Sequence, residues 1–251
     1  MTPKNEPIDA VYTWAGGDPT VLRASLRSLG KCAPWIRKVY VLTGAPAPAW
    51  LKGDHPRIAL VKHEEIFRDR SAGVWQLFRI PGLSRQFLYL DSNHFVGRRL
   101  EPADFVTSKG GNRFYVESSD IPPGSVAEKL LNARFGDRSP RKKPAQTPRF
   151  LDKNFMEEVN RLWEKYIKHG GVSLEELYFY YLVECPQQYG IHEKVAVTSE
   201  VFRTVPLSDA KQLAGLLLGQ PQFFCLEGAA PGFGARLVLK LFYWRRSAFE
   251  K

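Results

Sequence analysis

Apolar residues run in short unbroken stretches through the first half of the chain and fall at helical spacing through much of the second. Ile8–Trp14 (IDAVYTW), Lys38–Thr43 (KVYVLT), Ile58–His63 (IALVKH) and Gln86–Leu90 (QFLYL, ending on Asp91) read as buried strands. Between the first two, Leu22, Leu26 and Leu29 recur at the helix period. Asp18 is placed as N-cap there, Pro19 in the first turn and Gly30 as the C-terminal glycine. A second helix is predicted over 64–78, closed by Pro81-Gly82. Strands alternating with helices predict an α/β fold built on a mostly parallel sheet.

Past Glu101 the pattern changes. Phe105–Ser108 and Arg113–Ser118 flank a Lys-Gly-Gly-Asn turn, a hairpin signal. Helices are predicted from Asp152 to His169 with Phe155, Val159, Leu162 and Tyr166 on one face, and from Leu174 to Glu184 behind a Ser173/Glu176 capping box. Others follow from Ser208 to Gly219 and from Ala235 to Arg245, with a strand at Gln222–Leu226 between them. The predicted division is an α/β core over 1–120, a basic Pro-containing loop over 121–150, and a helical portion over 151–251 that completes the same domain.

Composition narrows the functional classes. With 44% hydrophobic and 25% charged residues the chain is an ordinary globular one. Its net charge of +10 suits an anionic partner such as a nucleotide or phosphosugar. Arg134, Arg138, Arg141, Lys142, Lys143 and Arg149 crowd the Pro-containing stretch, which reads as a solvated loop. Nucleic acid is not the expected partner, because only the charge and this loop favour it. Cys32, Cys185 and Cys225 match no zinc spacing, and their sparse, odd number favours a reducing compartment. No run of apolar residues is long enough for a membrane span or a signal peptide, so a soluble cytoplasmic protein is expected.

Ligands of open α/β sheets bind beyond the carboxyl ends of the strands, here Thr13-Trp14, Thr43, His63 and Asp91-Ser92-Asn93. Asp91 and Asn93 have the oxygen chemistry of a hard divalent cation site, with His94 beside them; the alternative is an Asx turn. Arg23 and Arg27 share a helix face and could clamp a diphosphate or form a solvated basic face. No P-loop, dinucleotide fingerprint or Ser-His-Asp spacing is present.

Several segments together resemble the Stealth family of sugar-phosphate transferases, which includes bacterial capsular and exopolysaccharide phosphotransferases and the catalytic subunit of lysosomal-enzyme N-acetylglucosamine-1-phosphotransferase. IDAVYTWAGGDP is similar to the family's opening block. LRASLRSLGKCAPWIRKVYVLTG, PAWLKGDHPRIALVKHEEIF and FRIPGLSRQFLYL resemble its second block, PRFLDKNFMEEV its third, and FFCLEG with the terminal RSAFEK its last. The resemblance implies a GT-A-like nucleotide-sugar-binding sheet. It also implies a divalent cation, Mg²⁺ or Mn²⁺, and transfer of a sugar-1-phosphate from a nucleotide sugar to a saccharide or glycan hydroxyl. On it, Tyr12, Thr13, Trp14, Asp18, Arg23, Ser25, Arg27 and Thr43 line the donor pocket. Asp91 and Asn93 hold the metal, and Asp91, with His94 or Glu227 as base, serves the chemistry.

The sequence departs from the family at polar positions while keeping its apolar frame. Asp91-Ser92-Asn93 stands for Asn-Asp-Asp, Gly44 for an Asp, Gln146 for the His of the third block and Glu227-Gly228 for Asn-Asp. Asp69-Arg70…Val74 replaces an Asn-Ser…Glu run, and the third block's later Phe-Arg has no match near His169-Gly170. Two alternatives are therefore carried: a catalytically silent scaffold that binds nucleotide sugar, glycan or a partner protein, and a GT-A-like glycosyltransferase.

Overall fold

The computed structural model describes residues 6–16, 18–51, 55–63, 76–107, 109, 111–168, 174–185, 191–228, 230–247 and 250. A five-stranded sheet forms the centre, in the order β3-β2-β1-β4-β8. Its strands are β1 (Ile8–Trp14), β2 (Ile36–Thr43), β3 (Ile58–Lys62), β4 (Gln86–Asp91) and β8 (Arg149–Asp152). The first four are mutually parallel and β8 runs antiparallel beside β4. Side chains alternate across a strand, so Ala10, Tyr12 and Trp14 pack with Leu22, Leu26 and Leu29 of α1 (Pro19–Cys32). Val11, Tyr40, Leu42 and Tyr89 face the opposite way, onto α3 (Lys153–Lys168) and α4 (Leu174–Glu184). Helices on both faces explain why these strands read as continuous apolar runs.

Local chemistry corrects several expected boundaries. α1 continues past Gly30 to Cys32, because Leu29 still accepts a helical bond, from Ala33 N–H at 2.8 Å. α3 buries Met156, Val159, Trp163 and Ile167, leaving Leu162 and Tyr166 exposed. The helix is kinked at Trp163 (φ −120°, ψ 19°), and the apolar face turns by about one residue relative to the expected one. Asp152 caps it as expected, accepting from Asn154 N–H at 2.9 Å. Asp209, not Ser208, caps α5 (Ala210–Gly219), accepting from Gln212 N–H at 2.8 Å. The last helix, α6, spans Phe233–Phe242. Residues 76–79 form a 3-10 turn; the rest of the helix expected over 64–78, and Ser173 of the capping box, lie outside the described residues.

The Pro-containing stretch is not a solvated loop. It contains α2 (Val126–Phe135), capped by Ser125, and β7 (Lys142–Pro144). Several of its charges are paired: Arg141 is buried against Glu184 at 2.6 Å, Lys142 meets Asp120 at 2.8 Å, and Arg149 meets Glu175 at 3.0 Å. Among the described residues the expected hairpin is short: one bridge between Val106 and Asn112, flanked by bonds from Thr107 N–H to Gly111 O and from Arg113 N–H to Phe105 O. β6 (Arg113–Asp120) pairs instead with β7 and, in parallel, with β9 (Glu193–Ala196). The C-terminal portion contains the strand expected at Gln222–Leu226, shifted by one residue, and others besides. β10 (Phe202–Pro206) and β11 (Phe223–Glu227) form a third sheet with β5 (His94–Val96), in which β5 and β11 are antiparallel.

Gly97, directly after β5, shows how tightly this sheet is joined. Its N–H donates to Gln222 O at 3.1 Å, and a Cβ there would lie 2.1 Å from the Pro221 carbonyl oxygen. Gly97→Ala must displace backbone and is expected to cost about 2 kcal/mol. That should appear as a lower urea midpoint at unchanged slope; an unshifted midpoint would refute the close approach.

Candidate active site

Strand order reverses between β1 and β4, so the sheet has its topological switch point there, and a crevice opens beyond their carboxyl ends. Thr13 and Asp91 are register partners across it. Thr13 Oγ1 and the Tyr89 hydroxyl both donate to Asp91 Oδ1, each at 2.8 Å. Burial pushes the Asp91 carboxyl up, but the Arg149 charge and these two donors outweigh it, so it stays below the usual carboxylate range. Asp91 is thus a fixed anion with 42% of its side chain open to solvent.

Antiparallel pairing of β8 sets Arg149 opposite Tyr89, and its guanidinium lies over the Tyr89 ring at 5.4 Å. One end of that group holds Glu175 at 3.0 Å and the other lies 3.9 Å from Asp91 Oδ2. Arg149 Nε is buried without a hydrogen-bond partner, an uncommon cost of the kind that marks functional sites. Lys143, Gln146 and Glu176 complete a cleft of about 390 Å³ around Asp91, Arg149 and Glu175. Burial, then the neighbouring Glu175, raises the Glu176 carboxyl above its usual range. The cleft therefore offers cations for phosphate oxygens beside carboxylates able to take a proton.

The turn after β4 joins this crevice to the third sheet. Asn93 Nδ2 donates to Leu226 O at 3.1 Å, and Leu226 N–H returns a bond to Asn93 O. Glu227, the next residue of β11, is exposed beside the turn. His94 is 2% exposed, and its Nδ1 accepts from Asp91 N–H at 3.2 Å. Burial lowers the His94 imidazole to about 4, so it is neutral and enclosed at pH 7. Its imidazole is thus turned onto the Asp91 backbone and closed off from solvent, not presented to the crevice as the expected base would be.

Asp91 and Asn93 offer one carboxylate and one amide oxygen, both hard donors of the kind a divalent cation takes. Among the described residues no group of three His, Cys, Asp or Glu side chains could ligate a metal. Such a pair suits a cation shared with substrate phosphates rather than one caged by protein.

The residues expected to line a donor pocket divide. Thr13 reaches the cleft through Asp91. Tyr12 and Ser25 are fully enclosed, with Ser25 Oγ donating to Tyr12 and to the His94 carbonyl, so they hold the frame. Trp14 is also buried, and Thr43 bonds the backbone of Ala45 in a local turn. Asp18 caps α1 and pairs with Arg236 at 2.7 Å. Arg23 and Arg27 are engaged by a carboxylate of the chain itself: Arg27 grips Glu250 with two bonds of 2.5 Å and Arg23, 34% exposed, adds one of 2.6 Å. Asp69, Arg70, Val74, His169 and Gly170 lie outside the described residues.

Sequence reasoning missed Arg149, Lys143, Glu175 and Glu176 as site residues. Its one pointer was Gln146, which stands where the Stealth pattern has histidine and lines this cleft.

Comparison with known proteins bears out the resemblance and the fold. The family model described as Stealth protein CR2, conserved region 2, matches residues 17–114. An exopolysaccharide phosphotransferase of Streptomyces coelicolor is 33% identical over 203 residues, 62% of this chain and 34% of the relative. The human N-acetylglucosamine-1-phosphotransferase subunits alpha/beta are 36% identical over 107 residues, 39% of this chain and 8% of theirs. The chain thus spans about a third or less of these relatives' lengths. A solved structure of an active-site mutant of LgtC superposes with TM-score 0.52 at 12% identity, covering 93% of this chain and 95% of that one. The fold is the GT-A-like α/β arrangement that the resemblance implies.

Proposed function

We propose that this chain, which carries conserved region 2 of the Stealth family, moves a sugar-1-phosphate from a nucleotide sugar to a saccharide hydroxyl during synthesis of a cell-surface polysaccharide or glycan. The supporting observation is the convergence of Asp91, Arg149, Lys143, Gln146 and Glu176 on one cleft at the switch point of the sheet. Asp91 and Asn93 are the residues that would hold Mg²⁺ or Mn²⁺, which when bound supplies neutralisation of phosphoryl charge. Arg149 and Lys143 bind the diphosphate of the donor. Thr13 and Tyr89 keep Asp91 oriented. Glu176, with its raised proton affinity, accepts the proton of the acceptor hydroxyl. The acceptor oxygen bonds to the sugar-linked phosphorus, the pyrophosphate P–O bond breaks, and a nucleoside monophosphate leaves.

Nucleotide product analysis tests this. Protein incubated with UDP-sugars, Mg²⁺ or Mn²⁺ and a mixed glycan acceptor pool should release UMP. Release of UDP instead would establish glycosyl transfer and overturn the phosphotransfer reading. Donor binding with neither product would identify a silent binder, a reading supported by the occupation of Asp91 Oδ1 by two hydroxyl groups.

A further inference from the structure

Helix α6 is apolar on two faces. Ala235 and Leu239 pack inward with α5 and the third sheet. Phe233, Leu237 and Leu241, spaced four residues apart, form a second stripe that faces solvent, with Phe233 86% exposed. Trp244 continues beyond the stripe, 67% exposed, with the Arg245 guanidinium over its ring at 5.3 Å. A helix apolar all round is normally enclosed, and an open stripe of this size marks an interaction surface.

Charge identifies the occupant. From Gly228 to residue 249 the sequence carries Arg236, Lys240, Arg245 and Arg246 and no acidic residue. Arg236 is tied to Asp18, while Lys240 and Arg245 flank the stripe in the open. A cleft of about 510 Å³ beside it is lined by Lys31, Arg57, Trp244, Arg245 and Arg246. A second copy of the chain would bring the same positive charge against this face and be repelled. An anionic bilayer meets both features: apolar side chains enter the acyl boundary, Trp244 sits at the headgroup level, and the cations meet lipid phosphates.

We infer that the α6 face docks the protein on the surface of an anionic membrane without crossing it. This inference does not rest on the proposed transfer reaction. The test is co-sedimentation of the full chain with vesicles of phosphatidylcholine, alone or mixed with phosphatidylglycerol. Binding to the anionic vesicles should be roughly tenfold stronger than to neutral ones and should weaken with salt. Leu237→Asp with Leu241→Asp should remove it, and Lys240→Gln with Arg245→Gln should remove the preference for anionic lipid. Leu237 is half exposed and the other three side chains are open, so each variant should stay folded, with a melting temperature within about 5 °C of the parent. Equal recovery on neutral vesicles, no recovery on either, or variants that bind like the parent would overturn the inference. So would a solution dimer that Leu237→Asp dissociates, which would make a second copy the occupant.

Discussion

Glu250→Ala is expected to lower stability by about 3 kcal/mol and the melting temperature by about 10 °C. The Glu250 side chain is completely enclosed and holds both Arg23 and Arg27; Arg27 is itself only 11% exposed. Removing the carboxylate leaves two guanidinium groups facing one another, Arg27 largely enclosed and Arg23 34% exposed, with no counter-charge between them. Burial alone would raise the Glu250 carboxyl from its ordinary 4.5, but bonds from Arg27, Ser247 N–H and Arg23 outweigh that and hold it at about 2. Folded and unfolded states therefore differ in proton affinity, and the contribution, about 3 kcal/mol, is fully present above pH 4.5. It is lost as pH falls from there through about 2. Acid titration of the parent and of Glu250→Ala should converge at low pH. Arg27→Met should destabilise comparably, and Arg27→Met combined with Glu250→Leu should recover part of the loss. If these variants melt like the parent but show weakened donor binding, the arginines serve the donor after all.

Asp91→Ala should lower kcat/KM for transfer by roughly 10²–10³. The carboxylate is half open, so its loss frees two hydroxyl groups and relaxes Arg149 without creating a large void. The melting temperature should move by only about 3 °C. Turnover within fivefold of the parent would remove Asp91 from the reacting centre. Asp91→Asn, which keeps the shape and loses the charge, should be nearly as impaired, because charge is what the site asks of this residue.

How much of this was legible in the sequence depends on the distance over which each feature is specified. The central strands could be read because both of their faces are covered, which writes each one as a compact apolar run. Asp91 was legible because the end of such a strand is where ligands bind. Arg149 was not. Its importance comes from standing opposite Tyr89 across an antiparallel pair and reaching Glu175 on another helix. Neither relation leaves a local mark, so Arg149 looked like one more charge in a basic stretch. The same holds for Arg141, whose partner Glu184 is 43 residues away. Arg23 and Arg27 were read correctly as sharing a face, but the carboxylate that ties them together was not legible, since only the fold brings Glu250 to them. Tyr12 and Ser25 match the family pattern yet lie in the core, so that part of the pattern records packing rather than contact with a donor.

The tie between α1 and Glu250 also imposes an order in time. Its partners are 227 and 223 residues apart, and the Asn93–Leu226 bond spans 133. β1, α1 and β2 can assemble soon after they leave the ribosome, because they are neighbours along the chain. Phe95 and Val96 of β5 must then wait for β11, and the Arg27 guanidinium must stay hydrated until residue 250 has been made. At typical synthesis rates of roughly 5–20 residues per second, that leaves an apolar strand edge open for several seconds. During that interval the nascent protein depends on chaperones, or on nothing sticky being near, for a strand that the finished fold encloses completely.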